Sequence, residues 1–367
     1  MKVAYVAIGG EGFRSGIMKK ILQTVSIWRQ LGHNVTLVMG CRRFSPKWLD
    51  YESRNFKDVD SIIFAWKSKV HRVAVEFQII QYLRKLELDF IYLRNLVPTP
   101  ALLALPSAAP VILEINTEEF YEYPRTFPLR GFYYRLIARW MLSRASGFVA
   151  VSKEIADSPN YSRYQKPTVV IANGATISED KILPPSGNAH PRFVCMFDTE
   201  WPWVGIDKLR FLALAMPDSK IDIVGPLDPS KYGLDGIPNV IIHGKIGDPD
   251  ILREVLKQAD VGISTLALHR INMSEASPLK SRDYLSYGLP VIAGYKDTDF
   301  PYGAPFILQL PNTEDNVKTN IKAIREFAYK WVNRRLTQED IQPICQIEKE
   351  KRRLQFAESL LHHDRRS

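Results

Sequence analysis

The chain has 367 residues, 46% of them hydrophobic and 24% charged, and carries a formal charge of +9. That length predicts two or three domains, and the composition is ordinary for a soluble globular protein. The positive balance favours anionic partners: nucleotide phosphates, lipid head groups or nucleic acid. Cys41, Cys195 and Cys345 lie far apart, with no CxxC pair and no Cys/His metal spacing, which argues against a disulfide framework and a structural zinc.

Met1 to Ile8 run straight into Gly9-Gly10; an apolar run this short reads as a first buried strand and not as a secretion signal. From there short apolar runs alternate with longer amphipathic stretches, the pattern of βαβ units and parallel sheets. In the first half, strands are predicted at residues 2–8, 34–39, 61–65, 89–93, 110–115, 147–151 and 168–171. Helices are predicted over 15–31, 71–86, 100–105 and 131–143. The most apolar stretch, 97–113, contains Pro98, Pro100, Pro106 and Pro110 and so is not one membrane-crossing helix.

A second series follows, with strands at 192–197, 220–224, 239–242, 261–264, 290–293 and 305–308 and helices over 206–215, 249–258, 278–287 and 314–332. The polar, Gly- and Pro-bearing stretch between the two series reads as a linker. Residues 347–361 read as a closing amphipathic helix. The expected fold is α/β, two Rossmann-like doubly wound domains whose strand ends face each other across a cleft.

The most telling segment runs Glu275-Ala276-Ser277-Pro278-Leu279-Lys280-Ser281-Arg282-Asp283 and closes on Gly288-Leu289-Pro290. Ser277 is placed to cap a helix and Pro278 to occupy its first position. The positive helix end then suits an anion such as phosphate. Lys280 and Asp283, three apart, share a helix face. A cation beside a diphosphate and a carboxylate beside a ribose diol is what a nucleotide-sugar site needs. The plain alternative is a capped helix with a Lys280–Asp283 surface pair.

This segment resembles the E-x7-E region of GT-B glycosyltransferases, especially the large retaining family four, with Asp283 in place of the second Glu. Leu31-Gly32-His33, the Ala145–Ser152 stretch, Val224-Gly225 and Gln258-Ala259-Asp260 look like further landmarks of that fold. Some likeness to lipid-linked glucuronosyltransferases of similar fold is also present. The resemblance implies an N-terminal domain over 1–175, a linker over 176–191, a nucleotide-sugar domain over 192–344, and a C-terminal helix over 345–367 that crosses back onto the first domain. It implies that Glu275 holds the donor sugar, Ser277 and Lys280 the diphosphate, and Asp283 the ribose. The glycine loop after the first strand, with Gly10 and Gly12, would reach donor phosphates. Its spacing misses the dinucleotide fingerprint, and Gly40-Cys41-Arg42-Arg43 stands where an acid should close the second strand. His243, after a strand edge, lies where such enzymes bracket the nucleotide base; a packed or solvated histidine is the bland reading.

Two departures from the family matter. The arginine and lysine that commonly hold the diphosphate after the first strand of the second domain are missing between Phe193 and Ile206, where Trp201-Pro202-Trp203 stands. Lys280 is then the best balancing charge, with Arg282 and Arg270 behind it. Near the end of a first-domain strand, where many retaining relatives carry histidine, this chain has Asn116-Thr117-Glu118-Glu119. Glu118 or Glu119 could serve an inverting reaction as general base, or both could belong to a solvated acidic loop. A D-x-D string recurs at 58–60, 248–250 and 297–299, and only the last lies near the proposed site. The basic, aromatic helix at 131–144 suits an anionic membrane surface, or else buries an aromatic stripe in the core. No nucleic-acid-binding pattern occurs. The expectation is a cytoplasmic, metal-independent glycosyltransferase without cofactor, peripheral at the inner face of the membrane, acting from a nucleotide sugar on a hydroxyl acceptor such as a lipid-linked glycan in polysaccharide or glycolipid assembly. A sugar-nucleotide 2-epimerase or a non-catalytic nucleotide-binding protein of the same architecture are the alternatives.

Overall fold

The computed structural model describes residues 1–9, 16–42, 61–94 and 98–364. The chain divides into two compact units, one of Met1–Ile171 with Ile347–Ser367, the other of Ala172–Gln346.

The first unit is built on seven parallel strands: β1 (Lys2–Ile8), β2 (Asn34–Arg42), β3 (Ser61–Trp66), β4 (Phe90–Arg94), β5 (Val111–Ile115), β6 (Gly147–Ala150) and β7 (Thr168–Val170), in the order β3-β2-β1-β4-β5-β6-β7. β1 is buried at every residue after Lys2, which is why it reads as a continuous apolar run and not as an alternation. The Gly16–Gln30 helix sets Ile21, Val25 and Trp28 on this sheet, and Trp28 meets Tyr92 edge-on with ring centroids 5.1 Å apart. The Gln346–Asp364 helix adds Leu354, Ala357 and Leu360 to the same core. The returning helix expected from the resemblance therefore belongs to the first unit.

The second unit repeats the plan. Its strands are β8 (Arg192–Met196), β9 (Lys220–Val224), β10 (Val240–Gly244), β11 (Val261–Ile263), the two-residue β12 (Glu275–Ala276), β13 (Val291–Ala293), the two-residue β14 (Lys296–Asp297) and β15 (Ile307–Gln309). Six form a parallel sheet in the order β10-β9-β8-β11-β13-β15, and β12 pairs with β14 apart from it. Both sheets are Rossmann-like. The strand order reverses between β1 and β4 in the first and between β8 and β11 in the second, and ligands of such sheets bind beyond the strand C-termini at that reversal.

Four local expectations are corrected. The supposed linker at 176–191 packs onto the second unit: Leu183 is buried, and Ser186 and Asn188 donate to the carboxylate of Asp260 at 2.5 and 2.8 Å. The helix expected at 314–332 breaks at Asn320 into Asn316–Thr319 and Ile321–Trp331. The one at 100–105 is a 3-10 turn, Ala101–Ser107, with Pro106 inside it. The acidic stretch after Asn116 is not a loop but starts a helix, Glu119–Thr126, despite Pro124 within it. That proline packs on Gly131, where a Cβ would come within 2.6 Å of the Pro124 backbone.

Candidate functional site

The second unit brings the Glu275–Asp283 segment to the strand ends at its reversal point. Glu275 lies on β12, in register with Lys296 of β14, and is half-buried. The Leu279–Ser286 helix follows and is clamped to β8 and β11. The Met196 N–H at the end of β8 donates to the Tyr284 hydroxyl at 2.7 Å. Ser281, Ser264 beyond β11 and Tyr295 beyond β13 close a buried triangle of hydroxyls at 2.5, 2.8 and 2.7 Å. Gly262 makes this approach feasible, since a Cβ there would lie 2.5 Å from the Tyr284 ring. Gly288, at φ +82, ends the helix and turns the chain into β13.

The cap differs from the expected one. Pro278 is the N-cap with extended backbone, and no side chain caps the helix. Ser277 is buried and serves another partner: its Oγ accepts from the Asn173 N–H at 3.1 Å, and its carbonyl accepts from Asn173 Nδ2 at 2.7 Å. Ser281 and Arg282 both donate their N–H groups to the Pro278 carbonyl, while the first-turn amides of Leu279 and Lys280 have no intrahelical acceptor available.

Lys280 is the anomaly of this site. The residue is half-buried, yet its Nζ is shut off from solvent and makes no hydrogen bond, to Asp283 or to anything else among the described residues. A surface pair with Asp283 is thereby excluded. Desolvation pulls this ammonium below its ordinary pKa. Burying an ammonium without a partner is costly, and the lowered pKa reflects that cost.

The two arginines weighed as alternatives to Lys280 are committed. Arg282, fully buried, holds Asp297 through two bonds of 2.6 and 2.8 Å, Asp299 at 2.9 Å and the Asn173 carbonyl at 2.9 Å. Burial alone would lower its pKa, but the two carboxylates raise it, so it stays charged. This pairing also consumes the D-x-D string at 297–299. Arg270 grips Asp207 at 2.8 and 2.9 Å and also pairs with Glu314. Lys208, which the sequence reading overlooked, is buried; its Nζ donates to the Leu266 and Thr313 carbonyls and to Asn316 Oδ1, and burial lowers its pKa to about 8. With three acceptors it has nothing left for a diphosphate. Only its unexpected burial could have flagged it, and sequence does not show that.

His243 is the bulged residue of β10, where the register with β9 shifts. Its Nε2 lies 2.7 Å from Asp222, whose carboxylate also takes two bonds from Arg192. The ring is engaged inside the unit through Asp222. Trp201 and Trp203 stack face to face, centroids 5.1 Å apart, and the loop is tied down by the Ala267 N–H donating to the Trp203 carbonyl at 3.0 Å. Gly10 and Gly12 lie outside the described residues.

In the first unit, Glu118 and Glu119 are buried, against the expectation of a solvated loop or an open base. Glu118 accepts from Asn160 Nδ2 at 3.1 Å, and Glu119 from the Tyr161 hydroxyl. Burial raises both pKa values, that of Glu119 to about 8. Glu122, not singled out from sequence, joins them: burial raises its pKa, against the opposing effect of a 2.6 Å bond donated by the Thr117 hydroxyl. Asn116 leads elsewhere, accepting from Lys20 Nζ at 3.1 Å.

Residues 19–179 match the family model Glycosyltransferase Family 4. Sucrose-phosphate synthase from Thermosynechococcus elongatus superposes with a TM-score of 0.68 at 14% identity, covering 99% of this chain and 100% of that one. HepE of Anabaena, in complex with UDP and glucose, gives 0.68 at 16% identity over 98% and 100%. A Listeria monocytogenes protein assigned as a UDP-N-acetylglucosamine 2-epimerase gives 0.54 at 13% identity over 96% and 95%. At these identities the likeness is one of fold. No curated protein sequence gives a significant match.

Proposed function

We infer that this family-four-like chain of GT-B fold is a glycosyltransferase, and we propose that it moves a sugar from a nucleotide-diphosphate sugar to a hydroxyl acceptor. The observation that carries the donor reading is the buried, bond-free Nζ of Lys280 at the start of the Leu279–Ser286 helix. A diphosphate placed there would take bonds from the first-turn amides and, once the Lys280 side chain turns outward from beside buried Cys195, a charge-assisted bond from its Nζ. Glu275 then holds the donor sugar, and Asp283, one turn along, holds the ribose. Ser277 steadies the approach to the helix through Asn173. His243 contributes no more than its strand end. Catalysis on this reading is positioning plus stabilisation of the leaving diphosphate. We propose that transfer needs neither metal nor cofactor, since Asp297 and Asp299 are committed to Arg282; turnover should persist in excess EDTA.

Lys280→Met tests the donor site in two ways at once. It should weaken binding of nucleoside diphosphates by roughly 1.5–3 kcal/mol, the scale of a lost charge-assisted bond. Because it also removes an unpaired buried charge, the unliganded protein should become more stable. Calorimetry showing unchanged affinity would move the diphosphate elsewhere. The epimerase alternative is separated by assay: an epimerase interconverts sugar nucleotides with no acceptor present.

The acceptor is proposed to be a glycan carried on lipid, in cell-surface polysaccharide or glycolipid assembly, met at the inner face of the membrane. Among the described residues no helix is long and apolar enough to cross a membrane. The Pro128–Arg144 helix supports a surface location instead. It buries Tyr134, Ala138 and Met141, while a second apolar stripe of Leu129, Phe132, Leu136 and Trp140 is 88, 66, 50 and 46% exposed. The exposed Arg130, Arg135, Arg139 and Arg144 flank that stripe. Such a helix inserts its apolar residues among acyl chains and pairs its arginines with anionic head groups. The chain should sediment with vesicles containing phosphatidylglycerol and not with pure phosphatidylcholine, and a Phe132→Ser/Trp140→Ser double variant should lose that binding. Equal recovery with both vesicle types would refute it.

A further inference from the structure

The first sheet carries a buried polar cluster that the proposed chemistry does not use. Tyr5 of β1 and Tyr92 of β4 are register partners with ring centroids 5.3 Å apart, and Arg94 of β4 is the register partner of Glu114 on β5. Tyr92 and Arg94, two residues apart, stand on one face of the sheet. The Gly16–Gln30 helix reaches this spot with Lys20, whose Nζ donates to Glu114 Oε1 at 2.5 Å. The C-terminal helix reaches it with Arg353, which lies 3.8 Å from the same oxygen and holds Glu350 at 2.8 Å. Glu350 in turn accepts from Thr24 and from the Trp28 ring N–H, so it is fully occupied.

Four polar atoms are left over: the Tyr5 hydroxyl, the Tyr92 hydroxyl, Arg94 Nη1 and Glu114 Oε2. Each is sealed from solvent, and none has a hydrogen-bond partner among the described residues. The nearest approach, Arg94 Nη1 to Glu114 Oε2, is 3.9 Å, beyond a direct bond. Leaving even one such group bare is costly, and four in one place is far outside what folded proteins tolerate. An anion would satisfy the hydroxyls and Arg94 but would face the Glu114 carboxylate. A cation would satisfy Glu114 but would face Lys20, Arg94 and Arg353. A small neutral molecule that both donates and accepts suits every atom present. We propose that this pocket is a built water site, a small cluster of ordered molecules bridging Tyr5, Tyr92, Arg94 and Glu114. Water in such a place typically makes about three bonds to otherwise unsatisfied groups. Lys20, Arg353 and Arg94 already keep Glu114 ionised; the cluster completes its hydrogen-bond shell between the two elements that it joins, the first helix and the C-terminal helix.

The test combines a crystal structure of the full chain at high resolution, a bromide soak and two conservative variants. Expected are solvent peaks within hydrogen-bond reach of Tyr92 Oη and Glu114 Oε2, with no anomalous bromide signal in the pocket. Tyr5→Phe and Tyr92→Phe should each lower Tm, by about 2–4 °C, because a bridging water loses a partner. Three results would overturn the proposal. One is a dry pocket closed by direct bonds. Another is a bromide peak, which would make it an anion site. The third is a Tm raised by either Tyr→Phe change, as happens when a bare buried hydroxyl is removed.

Discussion

Replacing Arg282 by leucine should destabilise the second unit by roughly 3–5 kcal/mol, the cost of leaving buried carboxylates without their cation. Arg282 is 1% exposed and is the shared counter-ion of Asp297 and Asp299. It also donates to the Asn173 carbonyl, and Asn173 in turn fixes Ser277, the residue before the N-cap. Loss of the guanidinium therefore strands two acids and frees the entry to the Leu279–Ser286 helix in one step. Hydrogen exchange should show β11, β13 and that helix losing protection together, and nucleoside-diphosphate binding should vanish with it. Arg282→Lys keeps the charge but not the planar fork, and should recover only part of the loss. A denaturant midpoint within about 0.5 kcal/mol of the parent, the range of surface substitutions, would show that the pair is dispensable.

A different signature should come from Glu119. Its carboxyl sits 2% exposed against Tyr161, and burial holds its pKa near 8 from an ordinary 4.5. Between those two values the unfolded chain has released this proton and the folded chain has not. Stability must then fall as pH rises through that window, by about 1.4 kcal/mol per pH unit when no other group titrates. Below pH 4.5 both states are protonated and the effect disappears. Glu119→Gln cannot ionise, so its stability should stay flat where the parent declines, matching the parent at pH 4 and exceeding it at pH 8. Urea midpoints across that range check the prediction. Parallel profiles would mean that Glu119 is ionised in the folded protein, which would revive its candidacy as base for an inverting transfer. A protonated carboxyl cannot take a proton from an acceptor hydroxyl at neutral pH.

The parallel sheets were legible because their strands are buried on both faces and appear as unbroken apolar runs. The run at 2–8 matches the observed strand end to end, and so does 220–224, although Asp222 interrupts it. The segment from Glu275 to Asp283 stood out in the sequence because helix-start residues and charges recur there at fixed spacing. The partners of each side chain were not legible. Ser277 has the composition of a cap, but Asn173, more than a hundred positions away in sequence, claims its hydroxyl. Lys280 and Asp283 have the spacing of a surface pair, but the lysine turns inward. Glu118 and Glu119, two adjacent acids after a strand, read equally as a solvated loop, yet Phe120 of the same turn packs edge-on against Tyr134 and draws the acids under cover. The β12–β14 pair, two residues a side, has too little sequence to show any period.

The interruption of the first unit by the whole of the second has a consequence for biosynthesis. Leu354, Ala357 and Leu360 complete the core that begins at Val3. Glu350 and Arg353, on the same last helix, hold Trp28 and approach Glu114. A nascent chain leaving the ribosome therefore displays most of a parallel sheet with one flank bare while some 175 further residues are translated (346 − 172 + 1 from the unit boundaries). Residues 172–346 can close on themselves as soon as they emerge, so the later-made unit finishes first and the earlier one waits. Until the final helix arrives, that open flank is a site for holdase chaperones and for mispairing with neighbouring nascent chains. A premature stop near residue 346 would spare the candidate donor site but leave the N-terminal half without its closing wall.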